Sequence, residues 1–273
     1  MSSRPNALPL YSMSGYHSMQ SSSFQTFLQM VWALAWKNIR VKYKNSILGL
    51  LWSLINPLLF LLIFSYVFGH AFPDIENYTL FALTGLVIWS IFPLATSQSA
   101  QSLIEGGPIL KALAVPPIVF PISSLLASAF QFFFTLIPFA AIMAILGYQP
   151  SIHLIAIVPL LIFFFLFIAG LSLIICSVHV FFRDVGLLWN TLLPAIFYFT
   201  PIAYPPTLIP EHIRWAMQLN PVYHFISPFR MLIYEKHWPA LSDWILLSTT
   251  GTLFFVVSIF VFRALQKHFI SHY

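Results

Sequence analysis

Residues 153–178 read HLIAIVPLLIFFFLFIAGLSLIICSV, with no Asp, Glu, Lys or Arg among them. A helix needs roughly 20 apolar residues to cross the ~30 Å hydrocarbon core of a bilayer, and this stretch supplies them. It shows none of the alternation of apolar and polar residues that an outer-membrane barrel strand needs. In lipid the backbone must satisfy its own hydrogen bonds, so a spanning segment of this kind is a helix. Working outward, five further uncharged runs have the same character: Ile47–Phe68, Leu80–Ala100, Ile118–Leu146, Val185–Tyr204 and Trp244–Phe262. The third span in chain order, Ile118–Leu146, is long and contains Pro138, which predicts a kink or a tilt.

The whole chain is 59% hydrophobic and only 7% charged, and the charges cluster between the apolar runs. This composition excludes a soluble globular class. It also argues against a proton- or ion-coupled carrier, because an ionisable group at the bilayer centre costs at least ~2.5–3.5 kcal/mol and, where present, marks a relay. Orientation follows from the basic residues. Lys37, Arg40, Lys42 and Lys44 precede the first span, Lys111 lies between the second and third, Arg183 follows the fourth, and Arg263 and Lys267 follow the last. Alternate connections are therefore basic, and both termini are expected in the cytoplasm. The long outer segment carries Arg214, Arg230 and Lys236, with Glu211 and Glu235 near them; long segments obey the rule less strictly. The net charge of +5 then reflects anchoring to the inner leaflet, with no basic aromatic face for nucleic acid.

The remaining segments divide the chain. Residues 1–23 are rich in Ser and Pro, without periodicity, and read as a disordered cytoplasmic tail. In residues 24–45, Phe24, Phe27, Leu28, Val31, Leu34 and Ala35 follow helical spacing, while Gln25, Gln29, Lys37 and Arg40 fall elsewhere. This predicts an amphipathic helix over Phe24–Arg40 in the cytoplasmic interface, with Trp32 and Trp36 at headgroup depth. A plain extension of the first membrane helix is the alternative. Residues 46–264 form the membrane domain and residues 265–273 a cytoplasmic tail. Within the domain, the outer segment 205–243 is punctuated by Pro205-Pro206, Pro210 and Asn220-Pro221. Two short helices, Glu211–Leu219 and Tyr223 to about Glu235, are expected there as re-entrant or interfacial elements. Cys176 is the only cysteine, which excludes an internal disulfide. His268 and His272 have no acidic or thiol companion, so no metal site is assigned.

The run RVKYKNSILGLLWSLINPLL, Arg40 to Leu59, carries a resemblance. Its basic-Tyr-basic cluster, Ser-x-Leu-Gly-x-Leu-Trp step and Pro-Leu-Leu step resemble the start of the permease subunits of ABC-type-2 polysaccharide exporters, which serve O-antigen, capsule and teichoic acid. PILKALAVPP (108–117), FFRDVGLLWN (181–190), TPIAYP (200–205) and LNPVYHFISPFRMLIY (219–234) extend the likeness over nearly all of the chain from about residue 24. The sequence departs from the family at Gly106-Gly107 and at Pro117.

The resemblance implies an all-α integral membrane protein of six transmembrane helices, with an N-terminal interfacial helix and short re-entrant outer helices before the last span. The chain has no G-x-x-x-x-G-K-[ST] phosphate loop, so it is not expected to be an enzyme or to hold a cofactor. ATP and Mg belong to a separate ATPase subunit, two copies of which would join two copies of this chain. The family places its ATPase contact where this sequence has Glu105, Gly106, Gly107, Pro108, Ile109, Leu110 and Lys111, and the Gly-Gly-Pro triplet predicts a sharp turn before a short helix from Ile109. Against this stands a plain connecting loop. Asp184 is expected to cap the fifth helix. The resemblance also implies a lipid-linked glycan as cargo and a bacterial cytoplasmic membrane as the site.

Arg40, Lys42, Tyr43 and Lys44 are the expected entry for that lipid, with inner-leaflet anchoring as the rival use. Aromatic rings suit the C–H faces of sugars, and amides and hydroxyls exchange hydrogen bonds with a sliding polymer. Trp52, Asn56 and Phe60 of the first span and Asn190, Tyr198 and Phe199 of the fifth are accordingly the expected pore lining; helix packing and interface belts are the competing uses. Asn220, Pro221, Arg230 and Glu235 are the expected outer gate, with a solvated Arg230–Glu235 pair as the alternative. Two other functions compete: export of small amphiphiles on the same fold, and a membrane-embedded glycosyl or phosphate transferase. For the second, Glu105 and Asp184 are the only acidic residues expected on the cytoplasmic side, too few for converging acid–base chemistry.

Overall fold

The computed structural model describes residues 24–44, 52–113 and 115–269. Among them every regular element is helical. In chain order these are α1 (Phe24–Tyr43), α2 (Trp52–Phe68), α3 (Tyr78–Ala112), α4 (Val119–Ile145), α5 (Ile157–Phe181), α6 (Asp184–Phe199), the short α7 (Arg214–Gln218), α8 (Pro221–Arg230) and α9 (Leu241–Leu265).

Four helical stretches are long and apolar enough to cross a membrane: Tyr78–Ala112, Val119–Ile145, Ile152–Phe181 and Leu241–His268. This is a multi-pass membrane protein. The expected first and fifth spans are represented by α2 and α6, of 17 and 16 residues. At 1.5 Å per residue, α6 reaches only about 24 Å. The start of the expected first span, residues 47–51, lies outside the described residues.

α3 is the axis of the bundle. Its apolar window is 78% buried, against 22–33% in the other three long helices. It starts at Asn77, a non-glycine residue at φ 49° whose side chain accepts a hydrogen bond from the Leu80 N–H. α1, α4, α5 and α6 all pack on it or on one another around it. α5 and α9 form the other close pair, and two glycines explain why. A Cβ on Gly170 would stand 2.5 Å from the Phe254 carbonyl carbon, and one on Gly251 2.5 Å from the Phe163 carbonyl oxygen. The two backbones therefore touch where side chains would keep them apart, as small residues allow between membrane helices.

Three expectations are corrected. The Gly106-Gly107-Pro108 triplet makes no turn: α3 runs through it to Ala112. Gly106 serves close approach instead, since a Cβ there would lie 2.4 Å from the Phe120 ring. The chain leaves the helix only at Leu113, in extended conformation, ahead of Pro116 and Pro117. Asp184 makes no side-chain cap; it is the first residue of α6, where its charge still faces the positive end of the helix dipole. In the outer segment, two 3₁₀ turns (Pro206–Leu208 and Glu211–Ile213) precede α7, and α8 starts at Pro221, two residues before the expected start. It then loosens into a π-helical turn, Met231–Glu235.

Candidate functional site

Two cavities meet inside the bundle. The first, about 400 Å³, lies among α1, α3 and α4 and is the more polar of the two. α1 supplies Lys37, Asn38 and Lys42; α3 supplies Ser97, Gln98, Gln101, Ser102 and Glu105; α4 supplies Ser123, Ser124 and Gln131. The second, about 650 Å³, is aromatic and apolar, lined by Tyr43, Trp52 and Phe60, by Trp89, Pro93 and Phe132, and by Leu193, Pro194, Phe197 and Tyr198. Lys42, Gln131 and Asn190 line both.

Gln131 organises the junction. It is 2% exposed, in the middle of α4. Its Oε1 accepts from Lys42 Nζ at 2.8 Å and from the Tyr43 hydroxyl at 3.0 Å. The basic end of α1 is thus tied to the centre of a membrane helix. Desolvation at this contact pushes the Lys42 pKa below the ordinary lysine value. Lower on the same pair of helices, α1 buries Val31 and Ala35, and Trp32 meets Phe130 edge-on at 5.5 Å. Arg40 lies over the Trp36 ring at 5.1 Å, and Lys44 is exposed just past the helix end.

The site residues read from sequence are therefore distributed unevenly. Trp52, Phe60, Asn190 and Tyr198 are brought to the aromatic cavity with Tyr43 and Lys42. Phe199 does not line it and is half exposed on α6. The Asn56 side chain lies outside what is described. Glu105 and Gly106 line the polar cavity. Gly107 and Leu110 are buried, while Pro108 and Lys111 are exposed on the last turns of α3, with Ile109 between. Gln131, Gln98 and the serines of α3 and α4 were not singled out from the sequence. Their signal was present: Ser124, Ser128, Gln131 and Thr135 recur at steps of four, three and four, one polar face of an otherwise apolar helix. Ser128 Oγ lies 2.9 Å from Gln98 Oε1, which joins the two polar faces.

At the other end of α6 the chain leaves the helix as an irregular strap, Thr200–Ala203, all of it buried. Every residue of the strap is held by a side chain. Asn220 Nδ2 donates to Thr200 Oγ1 at 2.7 Å, Arg230 Nη1 to the Pro201 carbonyl at 3.1 Å, Arg230 Nη2 to the Ile202 carbonyl at 2.8 Å, and the Tyr78 hydroxyl to the Ala203 carbonyl at 2.6 Å. Irregular backbone away from water needs such donors. Arg230 is 4% exposed and its guanidinium stacks on Phe81 at 3.8 Å. Gly85 leaves room for it: a Cβ there would be 2.8 Å from Arg230 Nη2. The Arg230–Glu235 pair read as a possible solvated pair is not formed; Glu235 meets His237 Nδ1 at 3.3 Å. Asn220 caps α8 through the Val222 N–H, and Pro221 takes its first position.

Residues 29–234 match the ABC-2 type transporter family. An O-antigen export system permease protein, RfbA, of Klebsiella pneumoniae is 32% identical over 237 residues, 85% of this chain and 90% of the relative. A Myxococcus xanthus protein of the same description is 22% identical over 240 residues, 87% of this chain and 92% of the relative. The polysialic acid transport protein KpsM of Escherichia coli is 24% identical over 254 residues, 91% of this chain and 96% of the relative.

Proposed function

Since this chain belongs to the ABC-2 type transporter family, we propose that it is the membrane-spanning subunit of an ATP-driven exporter of lipid-linked polysaccharide. The observation that carries the reading is the meeting of a polar and an aromatic cavity at Lys42, Gln131 and Asn190. A lipid-linked glycan is itself a polar chain on an apolar one, joined by an anionic phosphate. Lys42, with Tyr43 beside it and Arg40 and Lys44 close in sequence, receives the anionic joint as it enters from the inner leaflet. Trp52, Phe60 and Tyr198, with Asn190, then offer the flat apolar faces and exchangeable hydrogen bonds along which sugars slide.

In this reading six helices cross the inner membrane of a bacterium, α2 and α6 completing the four long ones, and both termini are cytoplasmic. Two copies of the chain form the pore between them. Two ATPase subunits hold ATP and Mg and press on the last turns of α3, Glu105 to Lys111, and on α1. The strap at Thr200–Ala203, with Asn220, Pro221 and Arg230, closes the outer mouth.

The test is purification of the tagged chain from native membranes with mass spectrometry of what accompanies it. A stoichiometric phosphate-loop ATPase and a bound glycolipid are expected. A chain that travels with neither, under conditions that keep other transporters of this kind assembled, overturns the reading.

A further inference from the structure

α3 and α6 are antiparallel neighbours stapled by two adjacent side-chain hydrogen bonds. Trp189 Nε1 donates to Thr96 Oγ1 at 2.9 Å, and Ser97 Oγ donates to Asn190 Oδ1 at 2.8 Å. Thr96, fully buried, hands its own proton to the Phe92 carbonyl at 2.7 Å, so the indole is tied to the α3 backbone. Nearer the start of α6, Gly186 packs against α3 and α5: its N–H donates to His179 Nδ1 at 3.1 Å, and a Cβ there would be 3.3 Å from Gln101 Nε2.

Each helix also carries an interior proline next to the staple, Pro93 in α3 and Pro194 in α6. A proline has no N–H for the carbonyl four residues back, so the ladder is broken at Trp89 and again at Asn190. Antiparallel register puts the two breaks at one level. Trp89 meets Phe197 at 5.4 Å on one side of them, and Thr96 meets Trp189 on the other. Both prolines line the aromatic cavity. On the side toward Glu105 the helices are hydrogen-bonded to each other. On the far side the Trp89–Phe197 contact is ring on ring, which slides without losing a directional bond.

We propose that the halves of α3 and α6 on the Glu105 side of Pro93 and Pro194 turn as one body about that level, so that a push on the end of α3 moves α6 and changes the width of the aromatic cavity. Thr96, Ser97 and Trp189 are then positioning residues for transport, which carry motion without touching cargo, while Asn190 joins the staple to the cavity it lines. The inference rests on the ATPase contact at Glu105–Lys111 proposed above, and adds to it the route by which that contact reaches the wall of the cavity.

The experiment uses the assembled transporter in proteoliposomes, with ATP hydrolysis and glycan export measured on the same sample. The staple is opened by the pair Thr96→Val and Ser97→Ala. The hinge is closed by the pair Pro93→Ala and Pro194→Ala, which restores helix. Both pairs are expected to keep ATP hydrolysis while glycan exported per ATP falls about tenfold, equal to ~1.4 kcal/mol of coupling. In a third variant, Ser97→Cys with Asn190→Cys, a short bifunctional thiol reagent bridges the helices; the native Cys176 is fully buried. Asn190→Cys alters the cargo path as well, so the bridged sample is read against the same double-cysteine variant before bridging; bridging is expected to cause no further loss of export, since the two halves never part. Export blocked by the bridge overturns the proposal, and so does full coupling in either proline or staple pair. Parallel loss of hydrolysis, export and assembled complex also overturns it, by assigning these residues to folding alone. A purified chain that carries no ATPase refutes the exporter reading itself, which is a separate result.

Discussion

Replacing Arg230 with Met tests whether the strap after α6 is held by a charge. The side chain spans two carbonyls, of Pro201 and Ile202, and lies flat on Phe81. Removing it leaves two buried acceptors without a donor, at about 1–3 kcal/mol each. The desolvation of a buried guanidinium, itself several kcal/mol, is relieved at the same time. Met also fills part of the space. With the relieved desolvation and the Met packing offsetting part of this, a net loss of about 2 kcal/mol is expected. At ~2–4 °C per kcal/mol for chains of this size, the midpoint of thermal unfolding should fall by about 4–8 °C. Intrinsic tryptophan fluorescence in lipid nanodiscs reads this at one fixed scan rate. Arg230→Lys should do no better, because a compact ammonium does not bridge two carbonyls and does not stack as a plane. Ala203→Cys, at the buried end of the strap, should react with a thiol reagent faster in the Met background than in the Arg background. An unchanged midpoint together with an unchanged labelling rate would falsify the clamp.

Other substitutions probe other contacts. Gly170→Ala forces a methyl to 2.5 Å from the Phe254 backbone, and should destabilise by ~1–3 kcal/mol, read as a lower unfolding midpoint; an unshifted midpoint means that α5 and α9 part freely. Gly147 has open space around its Cβ position but φ +72°, so Gly147→Ala should cost about 1–2 kcal/mol from backbone alone, and Gly147→Asn less. Gln131→Leu removes the shared acceptor of Lys42 and Tyr43. Solvent reaches the ammonium, so the loss is about 1–2 kcal/mol, enough to undock the end of α1 roughly ten times more often. Trypsin cleavage after Lys42 should speed up by that factor, and equal rates refute the tie. Joint alanine at Asn56, Tyr198 and Phe199 should lower export; the neutral outcome removes all three from the pore.

The long spans were legible because length and apolarity are local: α3, α4, α5 and α9 each announce themselves as an uncharged run of sufficient length. The Gly106-Gly107-Pro108 turn was misread for an instructive reason. Glycine beside proline is a strong signal for a bend in water, yet here Gly106 is spent on the Phe120 ring, a contact that no local window contains. Attention to charge also hid the polar cavity. Ser, Gln and Thr carry no charge, so the faces of α3 and α4 passed as interruptions in apolar helices, although their spacing was regular. The sequence places Arg230 in the outer gate, with a solvated pair to Glu235 as the alternative. Its carbonyl partners, about 30 residues earlier in the chain, follow from how α6 ends, and that depends on tertiary packing.

The clasp of α5 and α9 bears on how the chain is made. α9 leaves the ribosome after the other described long helices, and its closest backbone contacts are with α5 and, more lightly, α8. The half of the protein built from α1, α3 and α4 meets α9 through Phe262, which shares a buried cluster with Leu103, Leu110 and Phe120. That half, with the whole of the polar cavity except Asn190, is fully synthesised by residue 145 and free to pack as soon as it is inserted. Until α9 arrives, however, α5 presents Gly170 as a bare stretch of backbone facing lipid. A chain that stalls before residue 241 therefore leaves Gly170, Phe163 and Phe167 of α5 without their α9 partners. That surface is where quality control would recognise an unfinished copy, and where a final helix supplied as a separate polypeptide should dock and complete it.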